Sequence, residues 1–443
     1  MSDLAQAVIE GAPAEELLAQ EIPSRYRAAH LLKDEVGLFG DVGPHDGVTV
    51  DKDVRRSLHV GPVPMPELAP DEVLIAVMAS AINFNTVWSA MFEPLPTFAF
   101  LERFARQGGW AARHALPQHV LGSDASGVVV RTGANVRHWN VGDRVVTSPA
   151  YIDEQDPITQ HDGMLASDLR AWGFETNFGG LGEFAVVKAT QLLPKPAHLT
   201  WEEAASYMLC ASTSYRMLVS DRGARMKQGD IVLIWGATGG LGGFAVQLVK
   251  NGGGVPVGVV SSGEKADLLR AMGCDAVINR AELELGGPGN VKAWRKIGEE
   301  IRRQVGEDPH IVFEHTGRET FGASVYLARR GGSVVTCGSS SGYAHEYDNR
   351  YLWMNLKSII GSHGANYQEC WEINRLISLG MIHPTVSAVY PLDEAPEATR
   401  AVQTNQHVGK VTVRCLAPED GLGVTDPALR ERIGEATLNR FRA

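Results

Sequence analysis

The sequence predicts an α/β protein in two domains, a β-barrel-type domain and a doubly wound parallel sheet. Three observations carry this. At 443 residues the chain exceeds what one typical core holds. Short β-rich segments punctuated by Gly, Pro and Asp fill its first half, whereas strand and helix patterns alternate beyond residue 200. Residues 231–265, IVLIWGATGGLGGFAVQLVKNGGGVPVGVVSSGEK, read as strand, glycine loop, helix and strand.

Taken in order, residues 1–45 predict a helical extension, with Leu, Ile and Ala at helical spacing between Glu residues and a break at Pro23-Ser24. It would pack on the body or on a partner subunit. Residues 46–200 make the β-rich domain, with strands at 73–77, 127–132, 143–147 and 182–188. Two inserts interrupt it, 92–118 and 151–177, and loops that long inside a compact domain are often functional. Residues 201–358 alternate: a helix after Trp201-Glu-Glu, strands at 231–235 and 255–260, then strands at 276–278, 311–314 and 333–337. Residues 359–443 would return to the first domain, where GKVTVR at 409–414 supplies a closing strand, and end in a tail.

Gly236-Ala-Thr-Gly-Gly-Leu-Gly242 follows its strand directly and opens into the apolar-periodic segment 244–249. Glycines let the backbone approach a pyrophosphate, which free N–H groups and the positive end of a helix would hold. Gly236, Thr238, Gly239, Gly240, Leu241 and Gly242 therefore predict a dinucleotide site. A glycine-rich turn of another α/β protein is the plainer alternative. At the end of the second strand an acid would accept from the ribose hydroxyls of NAD. Ser261, Ser262 and Lys265 stand there instead and favour NADP, although Glu264 offsets part of the charge. Thr316 and Gly338 fall where the carboxyl ends of such strands meet the ligand.

The net charge of −11 argues against nucleic acid and anionic membranes as partners, while leaving room for a local phosphate-binding patch. No apolar run reaches membrane-spanning length, and residues 1–23 lack the Lys and Arg of a presequence. Five dispersed cysteines without a CxxC pair suit a reduced, cytoplasmic protein.

The β-rich domain, an AxxGxxG-type loop over 237–243 and the return strand resemble the medium-chain dehydrogenase/reductases, over about residues 45–415. The resemblance implies a GroES-like catalytic domain beside a Rossmann domain. Where zinc enzymes of that superfamily carry Gly-His-Glu, this chain reads Leu121-Gly-Ser-Asp-Ala-Ser-Gly127, and no cysteine precedes Cys210. Zinc needs closely spaced Cys, His or carboxylate ligands, so no metal is expected. A hydride delivered without one needs an acceptor that is already electrophilic, such as a conjugated alkene. Asn83-Phe-Asn85, Trp172-Gly-Phe-Glu-Thr-Asn177, Asn349-Arg-Tyr-Leu-Trp-Met354 and Gly361-Ser-His-Gly-Ala-Asn-Tyr367 are similar to motifs of the crotonyl-CoA carboxylase/reductases.

That resemblance implies reductive carboxylation: NADPH gives a hydride to the β-carbon of a 2-enoyl-CoA, and the α-carbon attacks CO2. The product would be an alkylmalonyl-CoA of the kind used as a polyketide extender unit. Neither a biotin-attachment segment nor a GxxxxGK[ST] loop occurs, which suits free CO2 as carbon donor. By motif position Asn85 would donate an N–H to one CO2 oxygen, Phe174 would offer backbone and an apolar wall, and Glu175 with His363 would orient a water on the other oxygen. From the residues alone a helix-capping Asn, a core Phe, a solvated Glu and a structural His remain open.

Arg350 and Tyr351 would meet the phosphates and adenine of CoA; Lys296 and Arg303 are a second basic candidate, or else a solvated helix face. Bulky residues close the acyl pocket of crotonyl-preferring relatives, and Phe84, Ala166 and Gly364 stand at those places here. This implies medium-chain enoyl groups, gaining about 0.8 kcal/mol per buried CH2, unless neighbours refill the space. A homo-oligomer, dimer or tetramer, is implied as well. A plain NADPH-dependent enoyl-CoA reductase, which protonates the same intermediate, is the alternative.

Overall fold

The computed structural model describes residues 1–43, 45–282 and 290–442. A six-stranded, all-parallel sheet runs in the order Ala276–Asn279, Val255–Val260, Ile231–Ile234, Ile311–Glu314, Ser333–Thr336, Ser358–Gly361. Its central strands, IVLI and IVFE, are apolar runs buried on both faces, as parallel sheets covered by helices require. Phe244 of the helix Gly240–Asn251 packs with Ile234 and Phe313 on one side, and Trp294 and Ile301 of the helix Val291–Val305 pack with Leu233 and Val312 on the other. The expected strands at 255–260 and 311–314 coincide with observed ones.

The second sheet is built on Glu72–Ala81, buried along its whole length and antiparallel to Ala125–Thr132, Phe184–Lys188 and Lys410–Arg414. Arg144–Thr147 and Leu192–Pro194 extend it on one side and Val386–Pro391 on the other. The inserts carry some structure of their own. The first holds the helix Thr97–Ala105, and the second a two-stranded ladder, Ala150–Tyr151 with Arg170–Ala171, plus the short turn Gly163–Leu165.

Two expectations are corrected. Residues 1–45 are not helical throughout: Asp3–Ile9 and Ala14–Ala19 are helices, but Arg25–Leu32 is a strand paired with His59–Pro64 and Gln118–Val120. Exposed Arg25 and Arg27 alternate with buried Tyr26 and Ala28, a period of two that the Ala and Leu content masks. The helices dock Leu4, Val8 and Leu17 on the β-rich core. The chain also does not leave the parallel sheet at 359. Ser358–Gly361 is its edge strand, and Tyr367–Ser378 buries Cys370, Ile373 and Ile377 in the same core. Ile359 and Ile360 make only a two-residue apolar run, and the strand is defined by its pairing with Ser333–Thr336. No described helix is long and apolar enough to cross a membrane.

Candidate active site

The phosphate loop is shaped by close approach. Gly236 takes φ +55°, in the left-handed region, and a Cβ on Gly242 would strike the Gly236 carbonyl. The helix beginning at Gly240 has no side-chain cap, so first-turn N–H groups remain for an anion. Thr238 is buried, and its carbonyl accepts the Gly409 N–H at 2.6 Å, tying the loop to the return strand. Leu241 packs on the core beneath. The neighbouring strand end is organised by Glu314, whose fully buried carboxylate accepts from the Thr316 and Gly317 N–H groups at 2.8 and 3.0 Å and from the Thr320 and Ser324 hydroxyls. Thr316 is thereby held in place, and Gly338 lies exposed past the end of the next strand.

At the end of Val255–Val260, the Ser262 hydroxyl accepts the Lys265 N–H at 3.3 Å and caps the helix Gly263–Ala271, keeping its own hydrogen to donate. Ser261 is half-buried beside it. Burial, helped by Arg280, lowers the pKa of Lys265. His407, from the loop before the return strand, is pushed down to about 4 by burial and then by Lys265. Arg280 and His407 thus join Lys265 at this corner, and nothing in the local sequence marks them.

On the facing domain, Asn83 rather than Asn85 holds the cap position of the helix Phe84–Ala90. Its Nδ2 donates to Asp124 Oδ2 at 2.8 Å, and its Oδ1 accepts from Lys410 Nζ, which also donates to the Ile82 carbonyl at 3.0 Å and lies 3.4 Å from Asp124. Burial pushes the Asp124 carboxyl up, and Lys410 opposes the shift. Lys410 also lies under the phosphate loop, since a Cβ on Gly240 would come 3.1 Å from its Cδ.

Asn85 has an orientation fixed by its neighbours. Its Nδ2 donates to Ser123 Oγ at 2.6 Å, and Ser123 gives its single hydrogen to the Trp172 carbonyl at 2.7 Å. The amide cannot be flipped without losing a donor, so among the described residues its second N–H has no acceptor and its buried Oδ1 no donor. Ser123 also leads directly to the segment carrying Phe174 and Glu175. The Phe174 ring packs on Phe100 with centroids 5.9 Å apart. Glu175 accepts the Ala171 N–H at 2.9 Å and lines a cavity of about 130 Å³ with Arg103, Asp168 and Arg170. His363 is exposed and shares no hydrogen bond with Glu175 among the described residues.

The acyl-pocket positions need one correction. The room expected beside Gly364 is taken by Met164, whose Cε lies 2.9 Å from where a Cβ would sit, and Gly364 itself has φ +52°. Ala166, two residues on, is buried, while Phe84 is exposed. Arg350 is exposed and paired with Asp348 at 2.6 Å. Tyr351 meets Tyr326 edge-on at 4.9 Å, and Tyr326 in turn meets Trp294 at 5.9 Å. Lys296 is exposed on the helix Val291–Val305, and Arg303, 2.5 Å from Glu300, shares its solvent face.

A barrel-type domain set against a parallel sheet across a glycine loop defines a medium-chain dehydrogenase/reductase. Residues 69–197 match the family model for the alcohol dehydrogenase GroES-like domain, and residues 240–378 that for zinc-binding dehydrogenases. The residues at the zinc position do not fit the metal: Ser123 is engaged with Asn85 and Trp172, and Asp124 with Lys410, Asn83 and the Leu209 N–H. The chain belongs, more narrowly, to the crotonyl-CoA carboxylase/reductase family. It is 53% identical over 437 residues to a crotonyl-CoA reductase of Streptomyces collinus, covering 97% of this chain and 96% of that one. Identity to the crotonyl-CoA carboxylase/reductase of Cereibacter sphaeroides is 36% over 391 residues, covering 83% and 88%. The solved structure of the 2-octenoyl-CoA carboxylase reductase CinF in complex with NADP and 2-octenoyl-CoA matches with a TM-score of 0.96 at 63% identity, covering 100% of this chain and 99% of that one.

Proposed function

We propose that the protein is an NADPH-dependent carboxylase/reductase that converts medium-chain 2-enoyl-CoA and CO2 into the corresponding 2-carboxyacyl-CoA. The observation that carries this reading is the Asn85–Ser123–Trp172 chain, which presents a neutral amide whose second N–H no described residue accepts, on a chain of bonds that leads to the Phe174-Glu175 segment. NADPH bound on the phosphate loop supplies a hydride to the β-carbon. The electron pair that this leaves at the α-carbon forms the new bond to the carbon of CO2, and the negative charge moves to the product carboxylate.

Asn85 steadies a CO2 oxygen without offering a strong acid, which favours carboxylation over protonation. Glu175 and His363 complete that site by holding a water, and Phe174 walls it. Arg350 and Tyr351, with Lys296 and Arg303, receive the CoA moiety. The medium-chain preference is supported by the likeness to the 2-octenoyl-CoA enzyme CinF.

The working form is a homo-oligomer built through the open edge Ser358–Gly361, where Trp353, Met354, Leu356 and Ile359 are exposed together. The free cysteines support a reducing, cytoplasmic setting. Turnover of 2-octenoyl-CoA with NADPH, with and without bicarbonate and carbonic anhydrase, tests the reaction. The carboxylated thioester is expected whenever CO2 is supplied, and Asn85→Ala should raise the saturated, uncarboxylated share. Saturated product alone from the parent at high CO2 would mean a plain enoyl-CoA reductase.

A further inference from the structure

We infer that Met164 is a specificity-determining residue, a movable stop that sets how long or branched an acyl chain the site accepts. Gly364 lies just past the carboxyl end of the edge strand Ser358–Gly361, on the side where parallel sheets bind ligands. Met164 belongs to the insert of the facing domain. Among the described residues, the direction a side chain on Gly364 would take is filled by the Met164 thioether alone, with Cε at 2.9 Å and Sδ at 3.9 Å; outside the glycine's chain neighbours no other described atom comes within 4 Å. The two domains therefore meet here through one flexible tip on one side and bare backbone on the other.

The backbones behind that contact are tied by hydrogen bonds, whereas the tip is held by packing. Asp162 accepts the Met164 N–H at 3.2 Å and, with the same oxygen, the Asn366 Nδ2 at 3.1 Å, two residues beyond Gly364. Arg216 clamps this carboxylate at 3.2 and 2.7 Å and reaches Glu369 at 2.8 Å. One buried carboxylate thus holds both walls in register. Met164 is only half-buried and, among the described residues, belongs to none of the hydrophobic clusters. An unbranched thioether with three rotatable bonds can swing aside for an acyl tail and close behind a short one. Ala166, two residues on in the same insert, is small and buried.

The inference rests on the enoyl-CoA reading, and the experiment separates the two. The parent, Met164→Ala, Met164→Leu and Met164→Phe are assayed with four-, six-, eight- and ten-carbon 2-enoyl-CoAs, reading kcat/KM, the KM for NADPH and the carboxylated share of product. Met164→Ala should raise the ten-carbon to eight-carbon ratio about tenfold, the scale set by a methylene or two in an apolar pocket. Met164→Phe should lower the eight-carbon to four-carbon ratio by about as much, and Met164→Leu should keep the parent profile. The KM for NADPH should not move in any of them, which also reports that each variant is folded. Identical chain-length profiles in parent, Ala and Phe proteins overturn the role of Met164 and leave the enoyl-CoA reading standing. Failure of the parent to turn over any enoyl-CoA overturns both.

Discussion

The phosphate loop and the insert facing it are held by opposite means. The loop is positioned by sterics within a few residues: a left-handed Gly236, a Gly242 with no room for a Cβ, and apolar strands on either side. The insert around Met164 is positioned by Arg216, Asp162, Asn366 and Glu369, side chains from three distant parts of the sequence that meet out of water. Local sterics tolerate a modest change of side chain nearby. A buried ion cluster does not, because removing one partner leaves the others charged and unsolvated.

The largest expected effect breaks the second arrangement. The side chains of Arg216, Asp162 and Glu369 are 6%, 5% and 8% exposed. Burial by itself would raise the Asp162 carboxyl, but the bonds from Arg216, Asn366 and the Met164 N–H outweigh it and hold it below its ordinary range. Arg216→Met takes the cation from Glu369 and leaves Asp162 only the half-exposed Arg222 at 3.1 Å, so it should cost about 3 kcal/mol in denaturant unfolding. A protein that unfolds at the parent's midpoint would show that the insert does not depend on this cluster.

The difference between the regions also explains what could be read in advance. The strands at 255–260 and 311–314 and the loop between Gly236 and Gly242 announce themselves through apolar runs and glycine spacing, signals confined to one stretch of chain. Arg25–Leu32 and Ser358–Gly361 do not, because each is defined by the strand it pairs with, and the latter offers an apolar run of only two residues. Asn85 stands in a motif visible in the sequence, yet Ser123, which orients its amide, lies 38 residues away and resembles any buried serine. Arg216 reads as an ordinary helix residue until Asp162 and Glu369 are brought to it.

Mild acid should weaken the fold through the histidines that the inserts bury. His119 lies fully buried between the Thr97 hydroxyl on its Nδ1 and the Thr176 carbonyl on its Nε2, an arrangement for the neutral ring carrying its hydrogen on Nε2. His114 accepts the Asn177 N–H at Nδ1 and is wedged between Phe104 and Phe178. Burial lowers their pKa values from 6.5 to about 4 and about 3. With folded values below the unfolded one, the unfolded chain takes up protons first as pH falls. The stabilisation is whole well above pH 6.5 and shrinks toward pH 4, by about 0.8 kcal/mol per histidine already at pH 6. Melting should fall between pH 7.5 and 6, and His119→Gln should flatten that slope. An unchanged slope would remove His119 from the account.

The smallest effect sharpens the comparison from the cofactor side, where the loop is local but the choice of cofactor is not. Lys265 opens a helix, Arg280 follows the outermost strand and His407 precedes the return strand. Three segments converge where the second strand ends: burial and then Arg280 lower the pKa of Lys265, and burial and then Lys265 lower that of His407, so basic groups gather at this corner. The 2′-phosphate of NADP brings negative charge to them, whereas the bare ribose hydroxyls of NAD do not. A single charge-assisted bond at a half-buried site is worth about 1.5 kcal/mol. Lys265→Ala should accordingly raise the KM for NADPH about tenfold while leaving the KM for NADH where it was. Equal shifts for both cofactors would mean that Lys265 supports the helix cap alone, and that selectivity lies with Arg280.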